Sequence, residues 1–229
     1  MSNMYDWIGP RWNPLAGECP HKCSYCYVKS NKRPAVVKKY TGDPRTVDHE
    51  FKSLGKGKFI FVCSMIDLFA DKVPTASILK ILEHAGKYDN RYLFQTKNPY
   101  RMYAVKDALP MDVICGTTIE TNRFYLEMGF IVPMARERMQ AMRVLSLAGF
   151  KTMVTIEPIM DFALKELIRL IFLCNPEWVN IGADSKGHKL PEPSAEKVLE
   201  LIAELKSAGI DVKIKPNLRR IIGDFPCSE

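Results

Sequence analysis

At 229 residues the chain is long enough for one well-packed domain and short for two. Its hydrophobic fraction of 47% and charged fraction of 26% are ordinary for a soluble globular protein, and no apolar run approaches the roughly 20 residues that span a bilayer. The N-terminus lacks the basic and apolar regions of a signal peptide. We therefore expect one domain over residues 1–229, located in the cytoplasm, where thiols stay reduced.

The formal net charge of +7 is concentrated in two stretches, one after the first cysteines and one near the C-terminus. Clustered Lys and Arg raise affinity for phosphate backbones, but a solvated basic surface has the same composition. Composition alone therefore leaves a polyanionic partner and a plain surface both open. The residues concerned are Lys29, Lys32, Arg33, Lys38, Lys39, Arg45, Lys213, Lys215, Arg219 and Arg220.

Three cysteines, Cys19, Cys23 and Cys26, stand in the segment 19–26 with three and then two residues between them. Three thiols cannot all pair as disulfides, and thiolates are soft ligands that favour iron–sulfur clusters, zinc or copper(I). A four-iron cubane normally takes a thiolate on each iron, so three thiolates leave one iron open for an outside ligand. A zinc site that adds His21 or His49 remains an alternative.

The other four cysteines are isolated in the sequence and have no spacing that would hold a second cluster. We expect Cys63, Cys115 and Cys174, which lie in apolar runs, to be small buried hydrophobic residues. Cys227 stands alone near the C-terminus.

Short β-like runs and longer helical patterns alternate after the cysteine segment, which predicts parallel βα units. The predicted strands are 58–63, 91–97, 113–120, 151–156, 178–182 and 211–215. The predicted helices are 43–54, 76–87, 100–106, 135–148, 163–174 and 194–208. This order favours the α/β class and a partial (β/α)6 barrel of the TIM type.

In such a barrel the site lies at the C-terminal ends of the strands, and polar residues collect at five of the six predicted strand ends. Any one of them is explained equally well as turn chemistry. Five successive strand ends that finish in hydrogen-bonding side chains favour a site. These residues are Ser64, Asp67, Gln95, Thr96, Lys97, Thr118, Glu120, Glu157, Asn180 and Asp184.

The cysteine segment and the barrel pattern together resemble the radical S-adenosylmethionine (SAM) superfamily. Within it, several runs look like the phage Gp37/Gp68 family of radical SAM-like proteins and, more distantly, like spore photoproduct lyase. The runs are WNP at 12–14, CY at 26–27, FVCSMIDLF at 61–69, QTK at 95–97, GTTIE at 116–120, IEP at 156–158 and IGAD at 181–184.

The resemblance implies a 4Fe–4S cluster on the three cysteines of the segment, with Tyr25 and Tyr27 flanking SAM. Ser64 is implied near the methionyl amino group, where the superfamily carries a Gly-Gly-Glu segment that this sequence lacks, so Asp67 is a candidate substitute. The resemblance further implies that Lys97 contacts the SAM carboxylate and that Thr118 lies near the ribose, with Glu120 on the same strand face. It also implies that Glu157 forms part of the pocket wall and that the backbone at Gly182 lies beside the adenine.

The implied activity is reductive cleavage of SAM to a 5′-deoxyadenosyl radical that abstracts a hydrogen atom, with the reaction subclass unassigned beyond a lyase-like expectation. The implied partners are a one-electron reductant such as flavodoxin or ferredoxin and a substrate that is nucleic acid or another polyanion. Cys63 is a candidate hydrogen donor, although a structural buried thiol explains it too. The alternative is a non-catalytic iron–sulfur or zinc module that binds nucleic acid.

Overall fold

Parallel strands and helices alternate along the part of the chain that this computed structural model describes, residues 5–128 and 131–223. The strands are β1 Arg11–Trp12, β2 Leu15–Ala16, β3 Arg45–Thr46, β4 Phe59–Val62, β5 Arg91–Thr96, β6 Val113–Thr118, β7 Lys151–Ile156, β8 Trp178–Ile181 and β9 Asp211–Ile214. The helices are α1 Pro34–Lys39, α2 Thr75–Gly86, α3 Pro99–Ala104, α4 Ala135–Leu147, α5 Leu164–Cys174, α6 Ala195–Ser207 and α7 Arg219–Ile222. Cys227 lies outside the described residues.

Seven strands form one parallel sheet in the order β1-β4-β5-β6-β7-β8-β9. Neighbouring strands are in register, with Val62 opposite Phe94 and Thr118 opposite Thr155. Within residues 5–128 and 131–223 no ladder joins β1 to β9, so the sheet curls without closing. The predicted α/β class and partial barrel are confirmed, with six βα units and a last strand. None of the described helices has both the length and the apolar composition needed to cross a bilayer.

Six of the strands and five of the helices match the sequence predictions to within a few residues at each end. The helix predicted over 43–54 is wrong. That stretch holds β3, which pairs antiparallel with β2, and a 3₁₀ turn at Asp48–Glu50. The N–H of Val47 donates to the carbonyl of Pro14 at 2.8 Å. The backbone of this segment therefore hydrogen-bonds to a residue near the start of the chain and not to the preceding turn of a helix. The first helix of the fold is α1, nearer the cysteines.

The barrel interior is apolar at one end of the strands and polar at the other. Side chains alternate along each strand, so Phe61, Leu93 and Met153 point inward while their neighbours pack against the helices. Tyr5 and Ile8 from the N-terminal segment complete this inner apolar cluster. The inward residues nearer the strand C-termini are polar, which leaves that end of the barrel as the place for a site.

Candidate functional site

A cavity of about 1880 Å³ lies at the C-terminal ends of the strands, and the cysteine segment lines part of it. All but two of the residues that the resemblance assigns to the cluster, to SAM or to hydrogen donation line it. The lining members are Cys19, Cys23, Tyr25, Cys26, Tyr27, Cys63, Ser64, Asp67, Lys97, Thr118 and Glu157. Glu120 and Gly182 are not in the lining and stand behind it.

The cysteine segment follows β2 and is attached at both of its ends. Gly17 has a φ of +107°, and a Cβ at this position would overlap the backbone of Asp43, so the close approach requires glycine. The N–H of Gly17 donates to the carbonyl of Lys39 at 2.9 Å. On the other side, the Oγ of Ser24 donates to the carbonyl of Glu127 at 2.8 Å. The loop is therefore held between the α1–β3 connection and the turn that follows β6.

The three thiols of the segment are free and face the cavity, with Cys23 buried and the other two partly exposed. Burial, followed by the nearby Asp67 carboxylate, raises the pKa of Cys19 to about 12. Within the two described ranges, no three His, Cys, Asp or Glu side chains stand close enough together to hold one metal ion.

The Asp67 carboxylate ties the cysteine segment to the end of β5 through four hydrogen bonds. Its Oδ1 accepts from the Thr96 hydroxyl at 2.7 Å and the Phe69 N–H at 3.0 Å. Its Oδ2 accepts from the Lys97 N–H at 2.7 Å and pairs with His21 Nε2 at 3.0 Å. Burial would raise the pKa of Asp67, but His21 and these donors outweigh it and lower the pKa below the usual range.

Behind the cysteine segment, a buried network joins Tyr25, Lys97, Glu120 and Arg138. Glu120 is fully buried; its Oε1 accepts from Lys97 Nζ at 2.5 Å and from the Tyr25 hydroxyl at 2.6 Å. Its Oε2 accepts from Arg138 Nη1 at 2.8 Å. Burial would raise the pKa of Glu120, but the two cations lower it well below its usual range. Burial disfavours the charge on Lys97, yet the same carboxylate raises the lysine pKa well above its ordinary value.

Tyr27 and Ser64 meet on the wall next to the third cysteine. The Tyr27 hydroxyl donates to the Ser64 carbonyl at 2.5 Å, and Ser64 Oγ donates to Asn13 Oδ1 at 3.2 Å. Cys63 is 5% exposed, has a φ of +54° and packs into the main core while also lining the cavity. Burial raises the pKa of its thiol. Both roles expected for Cys63, structural and chemical, are compatible with this position.

The opposite wall is built around Glu157 at the end of β7. Its Oε2 accepts from Lys215 Nζ at 2.5 Å and its Oε1 accepts from Asn217 Nδ2 at 2.8 Å. Gly182 makes this approach possible, because a Cβ there would stand 2.8 Å from Glu157 Oε1 and 3.0 Å from Asn217 Oδ1. Within the described residues, the buried Asn217 Oδ1 accepts no hydrogen bond, so this wall carries an unused acceptor.

The floor of the cavity is closed by the N-terminal segment. The Tyr5 hydroxyl donates to Gln95 Oε1 at 2.7 Å and is hydrogen-bonded to Thr155 Oγ1 at 2.6 Å. Gln95 Nε2 donates in turn to the hydroxyl oxygen of Thr118 at 3.1 Å. Polar side chains at several strand ends are thus satisfied by each other and by Tyr5, which explains why they are tolerated inside the barrel.

Several residues of the site were not predicted, and they differ in whether the sequence carried a signal for them. Lys215 follows the last strand, so the strand-end rule that selected Glu157 applies to it as well. Arg138 carried no such signal, because it lies mid-helix in α4 among other charged residues yet is fully buried. Three cations that line the cavity, Arg11, Lys32 and Lys186, have no ion-pair partner among residues 5–128 and 131–223.

Solved structures with the same architecture include a mutant of spore photoproduct lyase with bound AdoMet and dinucleoside spore photoproduct. It is 14% identical, with a TM-score of 0.62 over 89% of this chain and 75% of the lyase chain. Streptococcus suis SuiB bound to S-adenosylmethionine is 10% identical, with a TM-score of 0.61 over 96% of this chain and 53% of SuiB. SuiB bound to precursor peptide SuiA is 9% identical, with a TM-score of 0.62 over 90% and 48% of the two chains.

At these identities the likeness concerns the fold alone, a partial barrel that this chain shares with the lyase and SuiB. The chain spans about half the length of SuiB. The comparison with curated proteins gives no match. Residues 2–212 match the model of a family described as a protein of unknown function, DUF5131. The chain therefore belongs to the DUF5131 family.

Proposed function

We propose that this chain is a radical SAM enzyme that holds a 4Fe–4S cluster on Cys19, Cys23 and Cys26 and binds SAM in the adjoining cavity. One observation carries the proposal: the three thiols and the strand-end side chains line the same cavity, in a fold of the radical SAM type. The finer resemblance to the phage Gp37/Gp68 family is part of the same proposal and rests on the sequence runs alone.

The donor set fits a cluster of this kind. Each thiolate of a cubane binds a different iron, so the thiols need to surround a cluster and not to converge on one ion. Ligand pockets typically measure roughly 300–1,000 Å³. The cavity of about 1880 Å³ is larger than that, which leaves space for a cluster, SAM and part of a substrate.

When bound, the cluster and SAM together supply one-electron reductive cleavage and abstraction of a hydrogen atom from the substrate. The chain's own residues bind and orient. Lys97 offers an ammonium to the SAM carboxylate, which takes the place of one of the lysine's protein acceptors, and the backbone at Gly182 is the proposed neighbour of the adenine. Tyr25 and Tyr27 flank SAM beside the cysteine segment, Thr118 is the proposed neighbour of the ribose, and Glu157 forms part of the pocket wall.

Asp67 and Glu120, both predicted to contact SAM, are better placed to hold other residues of the site in position. The oxygens of Asp67 already accept two hydrogen bonds each, so it holds the cysteine segment against β5 more readily than it replaces the missing Gly-Gly-Glu. Glu120 lies outside the cavity lining and supports Lys97 and Tyr25 from behind.

We further propose a polyanionic substrate, with nucleic acid favoured, because Arg11, Lys32 and Lys186 line the cavity without ion-pair partners in the described ranges. The lyase structure with a dinucleoside and the SuiB structure with a peptide show two kinds of polymer-derived ligand on this fold. A lyase-like reaction, Cys63 as a hydrogen donor and a flavodoxin or ferredoxin as electron donor complete the proposal.

The test is anaerobic purification and reconstitution with iron and sulfide. The proposal predicts a brown protein with about four irons per chain that forms 5′-deoxyadenosine from SAM under dithionite. Cys23→Ala should lose colour and SAM cleavage, whereas Cys115→Ala, at a buried thiol outside the cavity, should keep both.

A colourless protein with one zinc and no 5′-deoxyadenosine would sink the proposal and favour the non-catalytic nucleic-acid-binding module. SAM cleavage that persists in Cys23→Ala would show that the cysteine assignment is wrong. For the substrate, binding of duplex and single-stranded DNA is measured against salt concentration. No binding at low salt removes the nucleic-acid part alone.

A further inference from the structure

The three donors of the Lys97 ammonium are all directed at groups of the protein. Nζ lies 2.5 Å from Glu120 Oε1, 2.6 Å from the Tyr25 hydroxyl oxygen and 3.6 Å from Cys23 Sγ. A lysine ammonium has three N–H donors and no acceptor, so in the absence of SAM these contacts use its full capacity, and a SAM carboxylate has to displace one of them. One of them is aimed at the sulfur of a residue that the proposed function assigns to the cluster.

The group behind Lys97 carries a surplus of positive charge. Glu120 is shared by two cations, Lys97 on one oxygen and Arg138 on the other. Arg138 also donates to the carbonyl of Thr118 and is fully buried. Among the described residues, no second carboxylate pairs with the ammonium of Lys97 or the guanidinium of Arg138. One carboxylate against two cations leaves one net positive charge in a poorly solvated region beside Cys23, where Coulomb interactions are screened less than in water.

Resting on the proposed function, we propose that Lys97 tunes the cluster by donating a charge-assisted hydrogen bond to Cys23 Sγ, and that Glu120 and Arg138 hold it in position. Hydrogen bonds to cluster sulfurs and nearby charge are among the factors that set reduction potential. On reduction, one electron passes from a one-electron donor such as dithionite, the donor is oxidised by one electron, and the cluster with its thiolates becomes more negative by one charge. Lys97 stabilises that added charge, so it raises the reduction potential.

Glu120 has the opposite effect on the potential, because it partly neutralises Lys97. Removal of the lysine charge should therefore lower the potential, and removal of the carboxylate charge should raise it. A purely structural role predicts no such opposition, since loss of either member of the ion pair would loosen the same contact. The sign of the two shifts separates the two explanations.

The experiment is a redox titration of the reconstituted full-length protein followed by electron paramagnetic resonance, in the absence of SAM so that contacts with its carboxylate play no part. Lys97→Met should shift the potential downward, Glu120→Gln should shift it upward, and Lys97→Arg should stay close to the wild type. The control is Lys197→Met, because Lys197 is also a partly buried lysine paired with a carboxylate, Asp161 at 2.6 Å, but it does not line the cavity.

Equal potentials in Lys97→Met and wild type, or shifts of the same sign in Lys97→Met and Glu120→Gln, would overturn the inference and leave the proposed function standing. If Lys97→Met takes up no iron, the sign of the Glu120→Gln shift decides: an upward shift supports the inference and a downward or absent one refutes it. If the wild type itself assembles no cluster, the proposed function fails and the inference falls with it.

Discussion

Replacement of Asp67 by asparagine tests whether one carboxylate fixes the cysteine segment to the barrel. The amide keeps the size of the side chain but exchanges one acceptor oxygen for an NH₂ group. Placed at the Oδ2 position, the NH₂ faces the Lys97 N–H; placed at the Oδ1 position, it faces the Phe69 N–H. Neither backbone donor can turn to accept, so one buried N–H loses its partner in either orientation.

The magnitude follows from that loss. An unpaired buried donor costs about 1–3 kcal/mol, and hydrogen bonds to a charged group contribute about 1.5–3 kcal/mol each, more than those to a neutral amide. The His21 contact weakens as well, because its partner no longer carries a charge. We therefore expect Asp67→Asn to lower the free energy of unfolding by about 2–4 kcal/mol.

The assay is urea unfolding of the protein without a cluster, with iron content after reconstitution as a second readout. The matched control is Asp71→Asn, because Asp71 accepts one hydrogen bond from Asn98 Nδ2 at 2.7 Å and is exposed. The control should stay within about 0.5 kcal/mol of the wild type and bind iron normally. If Asp67→Asn matches the control in both measurements, Asp67 does not hold the segment and the reasoning is refuted.

Gly17→Ala should lower the free energy of unfolding by about 3 kcal/mol or more, since a Cβ would overlap the backbone of Asp43 at a positive φ, whereas Gly149→Ala, with a positive φ in open space, should cost about 1 kcal/mol in the same urea assay. Arg138→Met should cost about 3–5 kcal/mol by leaving Glu120 buried with one cation, and addition of Glu120→Gln should restore part of it; a double variant no more stable than the single one contradicts this pairing. The pKa values of Asp67 and Glu120 are both lower in the folded than in the unfolded state, so the stability they contribute is present above about pH 4 and is lost as the pH falls below it. Urea midpoints measured from pH 7 to pH 3 should show this loss, with a smaller fall in Asp67→Asn than in the wild type.

The strand positions were predictable because a buried parallel strand is a short, nearly continuous apolar run between turn residues. Phe59–Val62 is of this kind, and Lys151–Ile156 is marked instead by its β-branched Thr, Val and Ile residues. Strand β1 was missed because its two residues are too few to form a pattern, and β3 was taken for a helix because its pairing with β2 is non-local. Periodicity within a window reports local structure and carries no information about such a partner.

Most of the cavity lining was predictable for a similar reason, since the C-terminal ends of parallel strands converge whatever their sequence. What the sequence could not indicate was which side chain supports which. Period-two alternation predicts Glu120 on the same strand face as Thr118, but β6 ends at Thr118. The Thr118 hydroxyl faces the cavity floor, whereas the Glu120 carboxylate turns toward Arg138. That turn depends on a cation from a helix later in the chain, and a buried arginine is indistinguishable in sequence from a solvated one.

The charged residues of the cavity fall into two groups with different consequences for a ligand. At one wall, Lys215 is paired with Glu157 and both line the cavity, whereas at the other wall Lys97 lines the cavity and is paired with Glu120 behind it. The Lys215–Glu157 pair suits a zwitterionic ligand, because the ligand's carboxylate can bind the lysine while its ammonium binds the glutamate, which leaves neither charge unpaired. Near the opening, Lys32 and Lys186 are exposed and lack an ion-pair partner in the described residues, so this edge attracts negative charge at long range. A small zwitterion is therefore expected to bind deep in the cavity, and a polyanion is expected to bind at its outer edge. Salt should weaken binding of the second far more than that of the first, because only exposed charges are strongly screened.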